Sequence, residues 1–96
     1  MLYLSSVIVV SKDQVSADLD GEVVVLNLES GTYYGLYKVG AFVWKLIQRP
    51  RSLRELRDAV LTEYDVDSEQ CERDLMEWVD ELLAEGLAEV EDETTP

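Results

Sequence analysis

Thr32-Tyr33-Tyr34-Gly35-Leu36 is a short aromatic run set between a turn and the first helical spacing of the chain, and its reading decides the fold. Glu22 to Glu29 before it reads as a strand, and Glu29-Ser30-Gly31 as the turn joining the two. After it, Tyr37-Lys38-Val39-Gly40 passes directly into helical periodicity. The run is therefore expected to be an edge strand, with a row of backbone groups open to a strand from another polypeptide. Side chains alternate along a strand, so Tyr34 and Leu36 are expected inward and Tyr33 toward the other surface.

Upstream, Val23-Val24-Val25-Leu26-Asn27-Leu28 is the clearest strand of the sequence. Asn27 interrupts its apolar run, which points Val24, Leu26 and Leu28 to the core. Val7-Ile8-Val9-Val10 is a short β-branched run suited to a strand, whereas Val15 to Gly21 is polar and closes on Asp20-Gly21, a hairpin-type turn signal. Downstream, Val39, Phe42, Val43, Leu46 and Ile47 follow the spacing of an amphipathic helix with Trp44 flanking the stripe, and Pro50 ends it near Gln48. Ser52 and Glu55 form a capping-box pattern that starts a second helix at Leu53, running to about Tyr64. Asp67 or Ser68 caps a third, whose stripe is Cys71, Leu75, Trp78, Val79 and Leu82, with Met76 and Leu83 to one side and Gly86 as its stop. Leu87 to Val90 suits a brief final strand.

This order gives an α+β fold resembling a winged helix-turn-helix, with a small N-terminal antiparallel three-stranded sheet followed by three helices. Residues 1–90 form one domain, and 91–96 an acidic flexible tail. Ninety-six residues are near the size at which one core stands alone. The net charge of −13 argues against nucleic acid and anionic lipid, since both demand positive potential. No segment approaches the roughly 20 apolar residues that span a bilayer, and no basic leader precedes the apolar start. The expectation is a soluble cytoplasmic protein, monomeric or weakly dimeric.

The charges are polarised. Asp65 to Glu93 holds thirteen acids against Arg73, and Lys38 to Arg57 holds six bases against Glu55. A helix-turn-helix regulator or protein-protein adaptor would use that basic 38–57 surface. Yet the helix that would enter a DNA groove is the most acidic element of the chain, which opposes the DNA reading. Catalytic chemistry finds little support. The sequence has no His, the commonest general base. Cys71 falls on the buried stripe among acids, as a small core residue does. The acid pairs lack a calcium-loop pattern, and Gly31, Gly35 and Gly40 match no nucleotide fingerprint. The sequence reads as a non-enzyme without cofactor or metal.

The run Val25 to Leu36, with Val39-Gly40-Ala41-Phe42-Val43-Trp44, Ser52-Leu53-Arg54-Glu55-Leu56, Glu63-Tyr64-Asp65-Val66-Asp67 and Leu82-Leu83-Ala84-Glu85-Gly86-Leu87, resembles the PqqD-like family. The resemblance spans about Val23 to Val90. It implies a recognition element for ribosomally made, later modified peptides. Such an element binds the leader segment of a precursor as an added strand on the third strand of its sheet, packed against the third helix. The chain is most similar to the stand-alone recognition proteins of lasso-peptide pathways, which work with a separate leader peptidase; other members serve other modifying enzymes. On that reading the leader would meet Thr32, Tyr33, Tyr34, Gly35 and Leu36 at the strand. Tyr33 would form a wall and Val25 the floor. Met76, Val79 and Leu83 would offer one helix face, with Glu72, Glu77 and Asp80 at the rim.

Overall fold

A computed structural model describes residues 2–91, and its core is built between two small sheets and three helices. The strands are β1 (Val7–Val10), β2 (Gln14–Leu19), β3 (Glu22–Asn27), β4 (Tyr33–Leu36), β5 (Arg51–Ser52) and β6 (Ala88–Glu91). The helices are α1 (Val39–Leu46), α2 (Leu53–Glu63) and α3 (Ser68–Ala84). One antiparallel sheet has the order β2-β3-β4 and the other β5-β1-β6. The expected three-stranded sheet before the helices is thus present, but its first strand is the polar 14–19 segment and not Val7–Val10. Val7–Val10 instead pairs with β5 and β6. The segment 14–19 does alternate: Val15, Ala17 and Leu19 stand on one face, Gln14, Ser16 and Asp18 on the other. Its apolar residues face solvent and its polar ones face α1, an inversion that hides the strand from a reading by polarity. Glu91, expected to open a flexible tail, ends β6; the remainder of that expected tail, 92–96, lies outside the described residues.

The parity expected for β3 is reversed. Val23, Val25 and Asn27 are buried, whereas Leu28 is exposed. Asn27 takes an inward place because its polar atoms are all engaged there. Its Nδ2 donates to the Glu85 carbonyl at 2.8 Å, and its Oδ1 accepts from the backbone N–H of Glu29 and Ser30. A buried polar group satisfied in this way carries little desolvation penalty. Register then carries the parity across to β4: Val25 opposes Tyr34 and Val23 opposes Leu36, so Tyr34 and Leu36 turn inward while Tyr33 is exposed.

The helices begin and end where local chemistry directs. Ser52 Oγ accepts from the Glu55 N–H at 3.1 Å and the Glu55 carboxylate accepts from the Ser52 N–H at 2.9 Å, a complete capping box at the start of α2. Asp67 caps α3 by accepting from Gln70 N–H. Gly86, at φ +73°, closes α3. Its N–H donates to Leu83 and that of Leu87 to Leu82, the paired bonds of a Schellman motif with Leu82 against Leu87 as its apolar contact. In α1 the buried face is Ala41, Val43, Trp44 and Ile47. Trp44 is central and not flanking, and its indole N–H donates to Ser16 Oγ at 3.3 Å, fastening α1 under β2.

Candidate functional site

β4 pairs with β3 alone among the described residues, so its second edge is free. The N-terminal strand β1 does not cover it, being held between β5 and β6. The phase of the ladder fixes which groups are free. Asn27 N–H donates to the Thr32 carbonyl at 2.9 Å, making 27/32, 25/34 and 23/36 the hydrogen-bonded pairs of an antiparallel ladder. Tyr34 and Leu36 therefore spend their backbone groups on β3. Tyr33 and Gly35 direct theirs outward, which leaves two N–H donors and two carbonyl acceptors along the edge. On the outer face Gly35 is uncovered: a Cβ there would meet nothing within 4 Å.

Beside this edge an open groove of about 700 Å³ runs between β4 and α3. Its strand side is Tyr33 to Leu36; its far side is Trp78, Glu81, Leu82, Ala84 and Glu85, with Leu87 at the end. Trp78 also forms one wall of a second cleft of about 270 Å³ between the helices, lined almost wholly by apolar groups including Val39, Val43, Val60 and Leu75. The two cavities meet at the half-buried indole. Gly40 allows this: its own Cβ, were there one, would lie 3.4 Å from the Trp78 indole nitrogen.

One end of the groove is pinned. The Tyr34 hydroxyl donates to the Glu85 carboxylate, while Asn27 holds the Glu85 carbonyl from beneath. Strand, turn and helix end are thus joined through a single residue, the C-cap of α3. The carboxylate beside it, with burial acting in the same direction, holds the Tyr34 hydroxyl above the ordinary phenol range. Cys71 lines the inter-helix cleft and is buried; burial pushes its thiol up, away from the reactive thiolate. Among the described residues no group of three acids or cysteines gathers in a way that would hold a metal ion. No helix among them is long and apolar enough to cross a membrane.

The residues expected to contact a peptide are divided by the fold. Thr32, Tyr33, Tyr34, Gly35 and Leu36 lie together at the edge, with Thr32 donating its N–H to Ser30 Oγ. Val25 and Val79 have no exposed surface and belong to the core. Met76 and Leu83 are half-buried against that core, and Glu72 is engaged by Arg57 at 3.1 Å. At 100° per residue Glu72, Met76, Asp80 and Leu83 all lie more than a quarter turn from Trp78, and none lines the groove. The helix face that does is 78, 81, 82 and 85, the opposite margin of the buried stripe. Periodicity identifies a stripe, but which of its two margins meets β4 depends on how the helix rolls onto the sheet. Of the groove's helix side, Trp78 carried the available signal, a bulky aromatic on the stripe at the right spacing.

The architecture is that of a small α+β domain with a free edge strand and a helix-bordered groove beside it. Residues 22–88 match the family described as Coenzyme PQQ synthesis protein D (PqqD), and the chain belongs to that family. Among solved structures it is similar to "TbiB1 in Complex with the TbiA(beta) Leader Peptide". The TM-score is 0.82 at 39% identity, covering 88% of this chain and 99% of the other. It shares the fold of "Lasso peptide synthetase B1 complexed with the leader peptide" at a TM-score of 0.76 and 24% identity, over 85% and 96% of the two chains. No curated protein sequence matches the chain.

Proposed function

We propose that this protein binds the leader segment of a ribosomally synthesised precursor peptide as a fourth strand on β4, and delivers it to a separate leader peptidase of a lasso-type pathway. The observation that carries the reading is the free β4 edge lying directly against a groove that sets apolar Leu36, Trp78, Leu82 and Leu87 among the polar groups of Tyr34, Glu81 and Glu85. Its two donors and two acceptors contribute about 1 kcal/mol each, against roughly 1–2 kcal/mol to order each peptide residue. Pairing alone roughly cancels, so anchors supply the affinity, at about 1.5–3 kcal/mol for each large apolar side chain buried. Peptide side chains of one parity face Trp78, Leu82 and Leu87, and the cleft beside Trp78 has room for one anchor. Two anchors give useful affinity together with sequence selectivity.

The basic 38–57 surface supports a nucleic-acid role poorly. Lys45 pairs with Asp18 at 2.9 Å and Arg57 with Asp58 and Glu72. On α3, Glu69, Glu77, Asp80 and Glu81 are exposed, so the helix that would enter a DNA groove repels phosphate. The test is titration with a synthetic leader and, separately, with duplex DNA, while following amide exchange. Saturable leader binding that protects the amides of Tyr33 and Gly35 is expected. Saturable, salt-dependent DNA binding without a leader response would overturn the reading.

A further inference from the structure

The basic stretch that joins α1 to α2 lines no part of the β4 groove. Lys45 and Arg57 in it are paired with acids. Arg49, Arg51 and Arg54 form no ion pair among the described residues, although acids outnumber bases 21 to 8 in the chain. Arg49 and Arg54 are exposed and Arg51 is half-buried. The Arg51 Nε–H is withdrawn from water and meets no acceptor, a rare state for a buried donor. Arg54 stands in the first turn of α2, where a cation opposes the helix dipole. Both placements oppose folding, and nothing among the described residues offsets them. We propose that this joint docks a carboxylate-rich segment of a partner protein, which sets an apolar side chain against Tyr3.

Tyr3 completes the surface. It is 61% exposed, yet its turn is tied to the start of α2. Leu53 N–H donates to the Ser6 carbonyl at 2.9 Å and Arg54 N–H to the Leu4 carbonyl at 3.0 Å, while Tyr3 N–H donates to Ser6 Oγ at 2.8 Å. An exposed ring on fixed backbone beside arginines has the composition of an interface hot spot. With the capping box, these bonds occupy the first N–H groups of α2, so the guanidiniums and not the helix end attract the anion. Charge then selects the occupant. Screening confines the local positive potential to about 10 Å at 0.1 M salt, whereas the chain as a whole carries −13. A nucleic acid, an anionic bilayer or a second copy also meets that acidic remainder and is repelled. A short acidic segment meets the three arginines alone, and charge-assisted N–H bonds from guanidinium to carboxylate hold it there.

The test titrates the full chain into a fluorescent peptide of Asp and Glu with one central Phe, read by anisotropy. A single-stranded oligonucleotide of equal charge is titrated in parallel. Saturable peptide binding that weakens as salt rises is expected. R49E/R54E, which changes two exposed side chains, should reduce it at least tenfold, and Arg51→Gln severalfold. Tyr3→Ala should weaken binding roughly threefold while leaving its salt dependence unchanged. Thermal midpoints should stay near native in R49E/R54E and Tyr3→Ala, so that their losses report the surface and not the fold. No saturable peptide binding at low salt overturns the proposal, as does peptide binding that R49E/R54E leaves unchanged. Oligonucleotide binding of equal strength, lost in R49E/R54E, would overturn it in favour of a general anion surface. Self-association of the native chain in sedimentation, abolished by R49E/R54E, would make a second copy the occupant instead.

Discussion

The sheet β2-β3-β4 has two edges, and they are unequal. Both present unpaired backbone: β4 through Tyr33 and Gly35, and β2 through Gln14, Ser16 and Asp18, since Leu28 N–H donates to Asp13 and fixes the alternate phase there. They differ in what lies under the next strand. Beneath β4 stand Tyr34, Leu36, Trp78 and Leu82 around an open trench. Beneath β2 the inward positions are polar and already engaged, Ser16 by the Trp44 indole and Asp18 by Lys45. Backbone hydrogen bonding is available at either edge and is nearly neutral in free energy. On the proposed reading, the groove, where Leu36, Trp78 and Leu82 offer apolar burial, is what makes one edge a receptor and leaves the other merely solvated.

Proline substitution breaks this comparison most directly. In Gly35→Pro an outward donor is lost and the ring occupies the approach of the next strand, while the ladder to β3 is untouched. Leader affinity should fall by about 100-fold or more, with thermal stability close to native. Asp18→Pro is the matched change on β2 and should leave leader affinity within about twofold. Calorimetric titration of the two variants decides the matter: equal losses would mean that the edges are equivalent and the trench irrelevant.

The next effect tests how β4 is held over that trench. Asn27→Ala removes the acceptor for Glu29 and Ser30 and the donor to Glu85 from a buried site. Loss of about 1–3 kcal/mol of stability follows from leaving such groups unpaired, read from urea midpoints. A neutral result would show that the turn and the α3 end are positioned by packing alone.

The role of Asn27 also shows where the sequence was legible. Cap residues act on their immediate neighbours, so Ser52, Glu55, Asp67 and Gly86 disclosed the helix limits. The Tyr33/Tyr34 alternation likewise disclosed the two faces of β4. An Asn inside a Val-rich strand looks like an interruption unless its three partners are known, and one of them lies 58 positions away; the parity of β3 was misread for that reason. β2 was hidden because its polar side chains serve the interior while its apolar ones face outward. The helix wall of the groove was misplaced from the 78/81/85 margin to the 72/76/83 margin because the roll of α3 is a tertiary property.

A smaller effect belongs to Tyr33. Its ring is largely exposed on the outer face, opposite the trench, so it can touch only the peptide side chains that point away from α3. Tyr33→Ala should weaken leader binding by roughly fivefold, about 1 kcal/mol of partial burial, and leave the fold intact by circular dichroism. Loss of the fold would contradict its exposure.

The smallest expected effects separate the edges by pH. At β4, the Tyr34 hydroxyl is held above its ordinary value of 10.0 chiefly by its bond to Glu85. The folded chain therefore keeps that proton more tightly than the unfolded chain. The bond's contribution is complete below the unfolded value and is lost as pH rises through the folded one, when phenolate meets carboxylate. At β2, Asp18 is lowered from 3.8 chiefly by its hydrogen bond to Lys45. That contribution is complete above the unfolded value and is lost as pH falls through the folded one. Urea titrations across both limbs should show Tyr34→Phe flattening only the alkaline slope and Asp18→Asn only the acid slope. Both groups are solvent-accessible, so the changes should be modest and smaller in high salt for Asp18. If leader saturation steepens the alkaline limb and leaves the acid limb unchanged, the peptide is bound to the edge that Tyr34 pins; an effect on the acid limb would place it on β2.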